Sequence, residues 1–175
     1  RSGCERACLE KDSAFMSIQP IKLNKKHIDT IDINDALSKT IEGKSQKVTS
    51  LIQKNIKELH SVAFANSLGV EDMVLVDLIR KNKLNVEIFS IDTGRLPSET
   101  YNLIQEVENK YQFKIKIYFP NQEKVESYIN VHGINAFYNS LDLRKSCCGI
   151  RKVEPLSRAL KDKKAWITGM RQEQS

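Results

Sequence analysis

From residue 61 onward, short apolar runs alternate with helix-length segments, and that alternation restricts the fold more than any other feature of the chain. Ser61 to Ala65 is an apolar run fit for a buried strand, Glu71 to Lys81 is helical, and Val86 to Ile91 is a β-branched strand. Ser98 to Tyr111 is again helical, Lys114 to Phe119 forms a third strand, and Glu123 to Val131 a short helix. Gly149 to Leu160 reads as a longer helix and Ala165 to Thr168 as a fourth strand. Strands separated by helices require right-handed crossovers, which predicts an α/β fold with a mostly parallel twisted sheet and helices on both faces. Ahead of it, from the cap Asn34, the positions Leu37, Ile41, Val48, Leu51, Ile52, Ile56 and Leu59 predict one amphipathic helix, or two if the chain breaks at Gly43.

The chain is thereby divided into residues 16–60, an N-terminal helical region, and 61–175, the α/β domain. Residues 1–15 carry no periodicity and precede Met16, so they are expected to be a non-native or unstructured segment. A chain of 175 residues with 40% hydrophobic content can bury one core of ordinary size. The net charge of +6 favours an anionic ligand: a nucleotide, another phosphate or sulfate ester, or a polynucleotide. No aromatic residues are interleaved with the basic ones as a base-stacking platform requires, so nucleic acid is not the expected partner. No apolar run of about 20 residues predicts a membrane span, and four cysteines do not make a disulfide scaffold. A reducing cytoplasm is the expected location.

In parallel sheets, ligands bind beyond the carboxyl ends of the strands. After the first strand comes Asn66-Ser67-Leu68-Gly69-Val70-Glu71-Asp72, opening directly into a helix. Ser67 and Gly69 either hold an anion at the helix N-terminus, through a hydroxyl and close backbone approach, or serve the turn itself, Ser67 as cap and Gly69 to relieve strain. After the second strand, Asp92 and Thr93 either hydrogen-bond a ribose or orient a neighbouring loop; Arg95 reads as a surface cation and Ser98 as a helix cap. After the fourth, Gly169 permits backbone approach to the strand tip and Arg171 offers a planar fork for phosphate. Trp166 reads as a core residue. His27, His60 and His132 have no spacing suited to metal.

The adjacent pair Cys147-Cys148 lies among Arg144, Lys145, Arg151 and Lys152. Nearby cations favour thiolates, the form that binds metal or attacks a substrate. A vicinal pair cannot complete a site that needs four ligands, and Cys4 and Cys8 are poor substitutes because no further ligand lies near them.

Four stretches together resemble the adenylyl-sulfate and phosphoadenylyl-sulfate reductases, whose fold is related to the PP-loop adenine-nucleotide enzymes. They are Ser67-Leu68-Gly69-Val70-Glu71-Asp72-Met73-Val74-Leu75; Ile91-Asp92-Thr93-Gly94-Arg95-Leu96; Arg144-Lys145-Ser146-Cys147-Cys148-Gly149-Ile150-Arg151-Lys152-Val153-Glu154-Pro155-Leu156; and Ala165 through Ser175. The Cys-Cys pair marks the iron-sulfur branch, which mostly uses adenylyl sulfate; the phosphorylated substrate is the alternative.

The resemblance implies that Cys147 and Cys148 supply two ligands of a [4Fe-4S] cluster, completed by a later Cys-x-x-Cys pair. It implies that Lys152 stands between cluster and substrate, and that Ser67, Gly69, Asp92, Thr93 and Gly169 hold the adenosine part. A tail cysteine, expected beyond Ser175, would attack the sulfur, and thioredoxin would release sulfite. No residue of the present chain is thus expected to be the nucleophile, and a homo-oligomer is left open. Two rival readings remain: an ATP-using enzyme of the same superfamily, disfavoured because Ser67 to Asp72 does not reproduce a Ser-Gly-Gly-x-Asp-Ser loop, and a non-catalytic nucleotide-binding α/β module.

Overall fold

The computed structural model describes residues 35–170. Expectations that fall on residues 1–34, among them Cys4, Cys8, Met16 and His27, and on Arg171 lie outside the described residues. The chain divides into compact units at residues 1–38 and 39–175, and everything below concerns the second.

Four strands, β1 (Val62–Ala65), β2 (Glu87–Ile91), β3 (Lys116–Tyr118) and β4 (Ala165–Ile167), form one parallel sheet in the order β3-β2-β1-β4. Ala63 stands opposite Glu87 on one side and Trp166 on the other. Helices α1 (Asp35–Leu59), α2 (Val70–Lys81), α3 (Ser98–Tyr111), α4 (Gln122–His132), α5 (Leu141–Cys148) and α6 (Glu154–Leu160) surround it. The predicted fold class holds. The two-residue side-chain period of β1 divides the core: Phe64 packs with Ile52, Val76, Ile79 and Ile88, while Ala63 packs with Phe89 and Ala159. Phe64 and Phe89 are fully buried, each contributing on the order of 2–3 kcal/mol of hydrophobic stabilisation. No helix among the described residues is long and apolar enough to cross a membrane.

Two local points are decided by the structure. First, of one helix or two, there is one: α1 runs through Gly43 without a break. Glycine there costs about 1 kcal/mol relative to alanine. The cost is offset by Val48, Ile52 and Ile56, at a four-residue spacing, packing on the core. Second, the helix expected to start at Gly149 begins at Leu141. Ser140 caps it, its Oγ accepting the Leu143 N–H at 3.1 Å, and Cys147 packs with Tyr128 and Ala136 alongside Leu143 and Ile150.

Between α5 and α6 the helix widens into a π turn over Gly149–Val153. Pro155 explains the widening. It has no N–H for the carbonyl of Arg151, four residues earlier, and its ring would clash with that carbonyl in a regular α-helix.

Candidate functional site

The turn after β1 is built around two side chains, the Asn66 amide and the Asp72 carboxylate. The Asn66 Oδ1 accepts the Leu68 N–H at 2.8 Å, and Leu68 adopts a left-handed φ of 65°. The Ser67 N–H and Oγ both donate to Asp72 Oδ2, at 2.5 and 2.6 Å, and the Gly169 N–H donates to Asp72 Oδ1 at 3.0 Å. Asp72 is buried in the first turn of α2, where the helix dipole favours its charge. One side chain thus clamps the tips of β1 and β4 together. A Cβ on Gly169 would overlap the Asp72 carboxylate and lie 3.1 Å from its backbone nitrogen, so glycine is required for that approach.

Gly69 is different. It is the N-cap of α2 with an ordinary φ of −68°, and a Cβ there would meet nothing closer than 3.4 Å. It relieves no strain; Leu68 carries the unusual backbone. Ser67 does not cap the helix through a helical N–H either: its hydroxyl donates to Asp72 and accepts the N–H of the N-cap residue Gly69 at 3.4 Å.

At the tip of β2, Asp92 is buried, accepting the Gly94 N–H at 2.7 Å and the Tyr101 hydroxyl at 2.9 Å. Of the two roles expected for it, the geometry supports orienting the loop. The bond to Asp92 raises the Tyr101 phenol above its ordinary range, with some help from burial. Arg95 is no free surface cation: it donates to the Ile134 carbonyl and Asn135 Oδ1, each at 2.9 Å, and lies 4.7 Å over the Phe137 ring. Ser98 does not cap α3, since Pro97 occupies the cap and Ser98 Oγ bonds Glu99 Oε2 at 3.2 Å.

These tips enclose a cavity of about 410 Å³ whose walls include Asn66, Ser67, Thr93, Lys152, Trp166 and Thr168. Of the residues singled out in the sequence, Ser67, Thr93 and Lys152 converge on it. Asp92 and Gly169 frame it from behind, and neither they nor Gly69 lines it. Trp166, expected in the core, is 49% exposed on edge strand β4 and forms part of the cavity wall. A larger groove of about 640 Å³ runs between α2 and α3, where Asp77 and Tyr111 are bonded to each other at 2.6 Å. The smaller cavity, at the strand tips, holds the buried and unpartnered Asn66 amide.

Asn66 is the residue that sequence reasoning passed over. It is only 2% exposed, it lines the cavity, and with Oδ1 committed to Leu68 its Nδ2 has no partner. A buried amide N–H without an acceptor costs about 1–3 kcal/mol. Asparagine after a strand reads as an ordinary turn former, so nothing in the sequence marked it.

Cys147 is buried, Cys148 is half-buried, and both are free thiols. Burial raises the Tyr128 phenol above its ordinary range, with Arg151 opposing. The two sulfurs suit iron or another soft metal. Among the described residues no group of three or more His, Cys, Asp or Glu side chains comes together, so the pair does not by itself make a four-ligand site. Neither cysteine lines the cavity; Lys152, one π turn further, does.

Residues 61–175 match the family model described as the phosphoadenosine phosphosulfate reductase domain. The chain is 44% identical over 136 residues to an adenosine 5'-phosphosulfate reductase of Allochromatium vinosum, covering 78% of this chain and 53% of that protein. It is 45% identical over 140 residues to one of Burkholderia cepacia, covering 80% and 56%. The chain thus spans about half the length of these curated relatives. Among solved structures, a phosphoadenylyl-sulfate reductase from Candida auris superposes with a TM-score of 0.60 at 26% identity, covering 75% of this chain and 67% of that one. An NH3-dependent NAD synthetase from Campylobacter jejuni, at 16% identity and a TM-score of 0.54, shares the fold alone.

Proposed function

This chain belongs to the phosphoadenosine phosphosulfate reductase domain family, and from that premise we propose that it forms the nucleotide-binding part of an enzyme that reduces adenylyl sulfate to sulfite and AMP. The observation that carries the reading is the cavity at the strand tips, where Ser67, Thr93, Lys152 and the unpartnered Asn66 amide meet. Its volume lies within the range of small-molecule sites. Two relatives named as adenosine 5'-phosphosulfate reductases support the choice of substrate.

In this reading the Asn66 amide and the main chain around Thr93 hold the adenosine part, and Lys152, exposed on the cavity wall, meets the phosphosulfate. Its ammonium stabilises charge that develops on the departing phosphate oxygen. A thiolate supplied from outside the described residues attacks the sulfur, and the bond from sulfur to the AMP oxygen breaks. AMP leaves with the electron pair, and the sulfonate stays on the enzyme thiol. A thioredoxin thiolate then attacks that enzyme sulfur and sulfite departs with the electron pair of the S–S bond; the second thioredoxin thiolate attacks the thioredoxin sulfur of the mixed disulfide, closing the thioredoxin disulfide and releasing the enzyme thiolate. Cys147 and Cys148 are proposed as two of the four ligands of a [4Fe-4S] cluster, which when bound adds a fixed charge near the site. A cytoplasmic location belongs to the same proposal.

Trp166 is the chain's single tryptophan and it faces the cavity, so its fluorescence tests the reading directly. Adenylyl sulfate and AMP should each give a saturable change, competing with one another. A response to polynucleotide alone, steep in salt, would replace this reading with a non-catalytic module. For the whole protein, sulfite release dependent on thioredoxin should follow adenylyl sulfate rather than its 3'-phosphorylated form.

A further inference from the structure

Of the residues that line the strand-tip cavity, Leu68 alone adopts a left-handed φ, 65°. That backbone crowds a β-carbon, and glycine takes it at no steric cost. The bond from its N–H to Asn66 Oδ1 needs only the main chain, so it would serve a glycine equally. What leucine adds at this position is its side chain, which packs against the core cluster containing Val76, Ile79 and Val107.

Leu68 is also the one residue that lines both this cavity and the groove between α2 and α3. Its neighbours show how near the two hollows come. On the turn, Ser67 lines the cavity and Val70 the groove; on α3, Thr100 lines the cavity and Leu103 the groove. The members of each pair are three residues apart, which along a helix is about 4.5 Å. Across so short a gap a single side chain is a partition. Behind it the groove offers Met73, Leu103 and Val107, a surface that takes an aromatic ring rather than a charged group.

We propose that Leu68 is a specificity-determining residue: it closes the cavity against the groove and so sets the largest base that the site accepts. This rests on the reading that the cavity holds an adenine nucleotide. The Leu68 N–H is bonded to the Asn66 amide, so a base held by that amide ends against Leu68. An unsubstituted adenine stops at the isobutyl group; a bulkier base collides with it. Shortening Leu68 opens the groove to the extra bulk.

The test measures binding by calorimetry to the native 175-residue chain and to Leu68→Ala, using AMP and AMP derivatives that carry a benzyl group at N6, C2 or C8. The native chain should take AMP and bind at least one derivative about tenfold more weakly. For that excluded derivative, the ratio of its affinity to that of AMP should rise by about tenfold or more in Leu68→Ala. The position that gains identifies the base edge facing Leu68. Leu68→Met, which refills the partition with an unbranched chain, should keep the native exclusion. Leu103→Ala takes as many carbons from the groove side alone, so the native selectivity should stay in place.

A native chain that binds all the derivatives as tightly as AMP has no partition, and an unchanged ratio in Leu68→Ala means that Leu68 is not it; either result overturns the proposal. An equal rise in Leu103→Ala does so as well, because it traces the effect to a loosened core. Should Leu68→Ala fail to fold, Leu68→Gly removes the whole side chain while releasing the left-handed strain, and it must give the same rise. A native chain that does not bind AMP at all refutes the nucleotide reading itself, and the proposal falls with it, a failure distinct from those at Leu68.

Discussion

The two edges of the sheet treat their charges in opposite ways. At the amino edge, where α2 and α3 end, carboxylates pair with cations, although Arg80 Nε and Glu87 Oε1 make no hydrogen bond. Asp77 takes the Tyr111 hydroxyl at 2.6 Å and Lys81 at 2.8 Å, and Glu108 takes Lys114 at 2.6 Å and the Ile115 N–H at 2.9 Å. Arg80 Nε has no acceptor, yet its guanidinium lies 4.7 Å over Phe113 and Nη2 reaches the Tyr111 carbonyl. At the carboxyl edge, the buried Asp72 and Asp92 form no ion pair among the described residues; they hold N–H and hydroxyl groups of the loops. Asn66 Nδ2 is left unpaired and Lys152 faces the cavity. One edge neutralises itself and contributes stability, while the other fixes loop shape and leaves bonding capacity for a ligand.

The strongest test of that contrast is Asp72→Ala. It strands three donors, Ser67 N–H, Ser67 Oγ and Gly169 N–H, at about 1 kcal/mol or more each, so urea unfolding should show a loss of about 3 kcal/mol. The Trp166 response to AMP should vanish with it. A loss below about 1 kcal/mol would mean that the clamp does not hold the two strand tips together.

Asn66→Asp comes next, because it separates binding from folding. It keeps an acceptor for the Leu68 N–H while replacing the orphan donor with a carboxylate that repels an anionic ligand. AMP affinity should fall by about tenfold or more, with a stability loss of about 1–2 kcal/mol from the buried charge. Unchanged affinity would take Asn66 out of the ligand's reach.

At the other edge the pattern should reverse. Tyr111→Phe should cost about 1–1.5 kcal/mol and leave AMP binding untouched. Burial, and then the bond to Asp77, push the Tyr111 phenol up to about 12. Burial works against the Asp77 charge, but the hydrogen bonds from Lys81 and Tyr111 outweigh it and hold the carboxyl below its ordinary range. A depressed folded-state value stabilises above the unfolded pKa, and the contribution is lost as pH falls through the folded one. Unfolding midpoints between about pH 5 and 2 should therefore fall less steeply in Tyr111→Phe than in the native chain.

The same contrast explains what was legible in the sequence. Strand and helix alternation depends on local periodicity, so the parallel sheet and the site-bearing tips could be read, with β3 shorter than expected at Lys116–Tyr118. Helix α5 was also written there: Ser140 caps it, and Leu143, Cys147 and Ile150 follow at spacings of four and three, but exposed Arg144 and Lys145 gave the segment the look of a basic loop. Other features depend on partners remote in the chain. Asp72 meets Gly169 across 97 residues, and Arg95 meets Asn135 across 40. Trp166 is exposed on β4, an outer strand of the sheet among the described residues, a property of strand order that hydropathy does not carry.

The smallest expected effect on folding belongs to Gly69→Ala, and it is the sharpest way to tell a glycine kept for the fold from one kept for a ligand. Gly169 must be glycine for packing, since any Cβ collides with Asp72. Gly69 has no such need: its φ is −68°, and the nearest atoms a Cβ would meet, Glu71 Oε2 and Ser67 Oγ, lie at 3.4 Å, ordinary contact distance. Alanine is poorer than glycine as an N-cap, and the change also reduces unfolded-chain entropy, so the opposing terms should leave stability within about 0.5 kcal/mol. If a nucleotide approaches the start of α2 through the backbone, the added methyl group stands in its way, and AMP affinity should drop by about tenfold with the unfolding midpoint unmoved. Loss of stability with intact binding would place Gly69 with Gly169 as a packing residue. If neither changes, the anion-holding role expected for Gly69 is wrong, and the ligand's contacts at this tip lie with Asn66 and Ser67 alone.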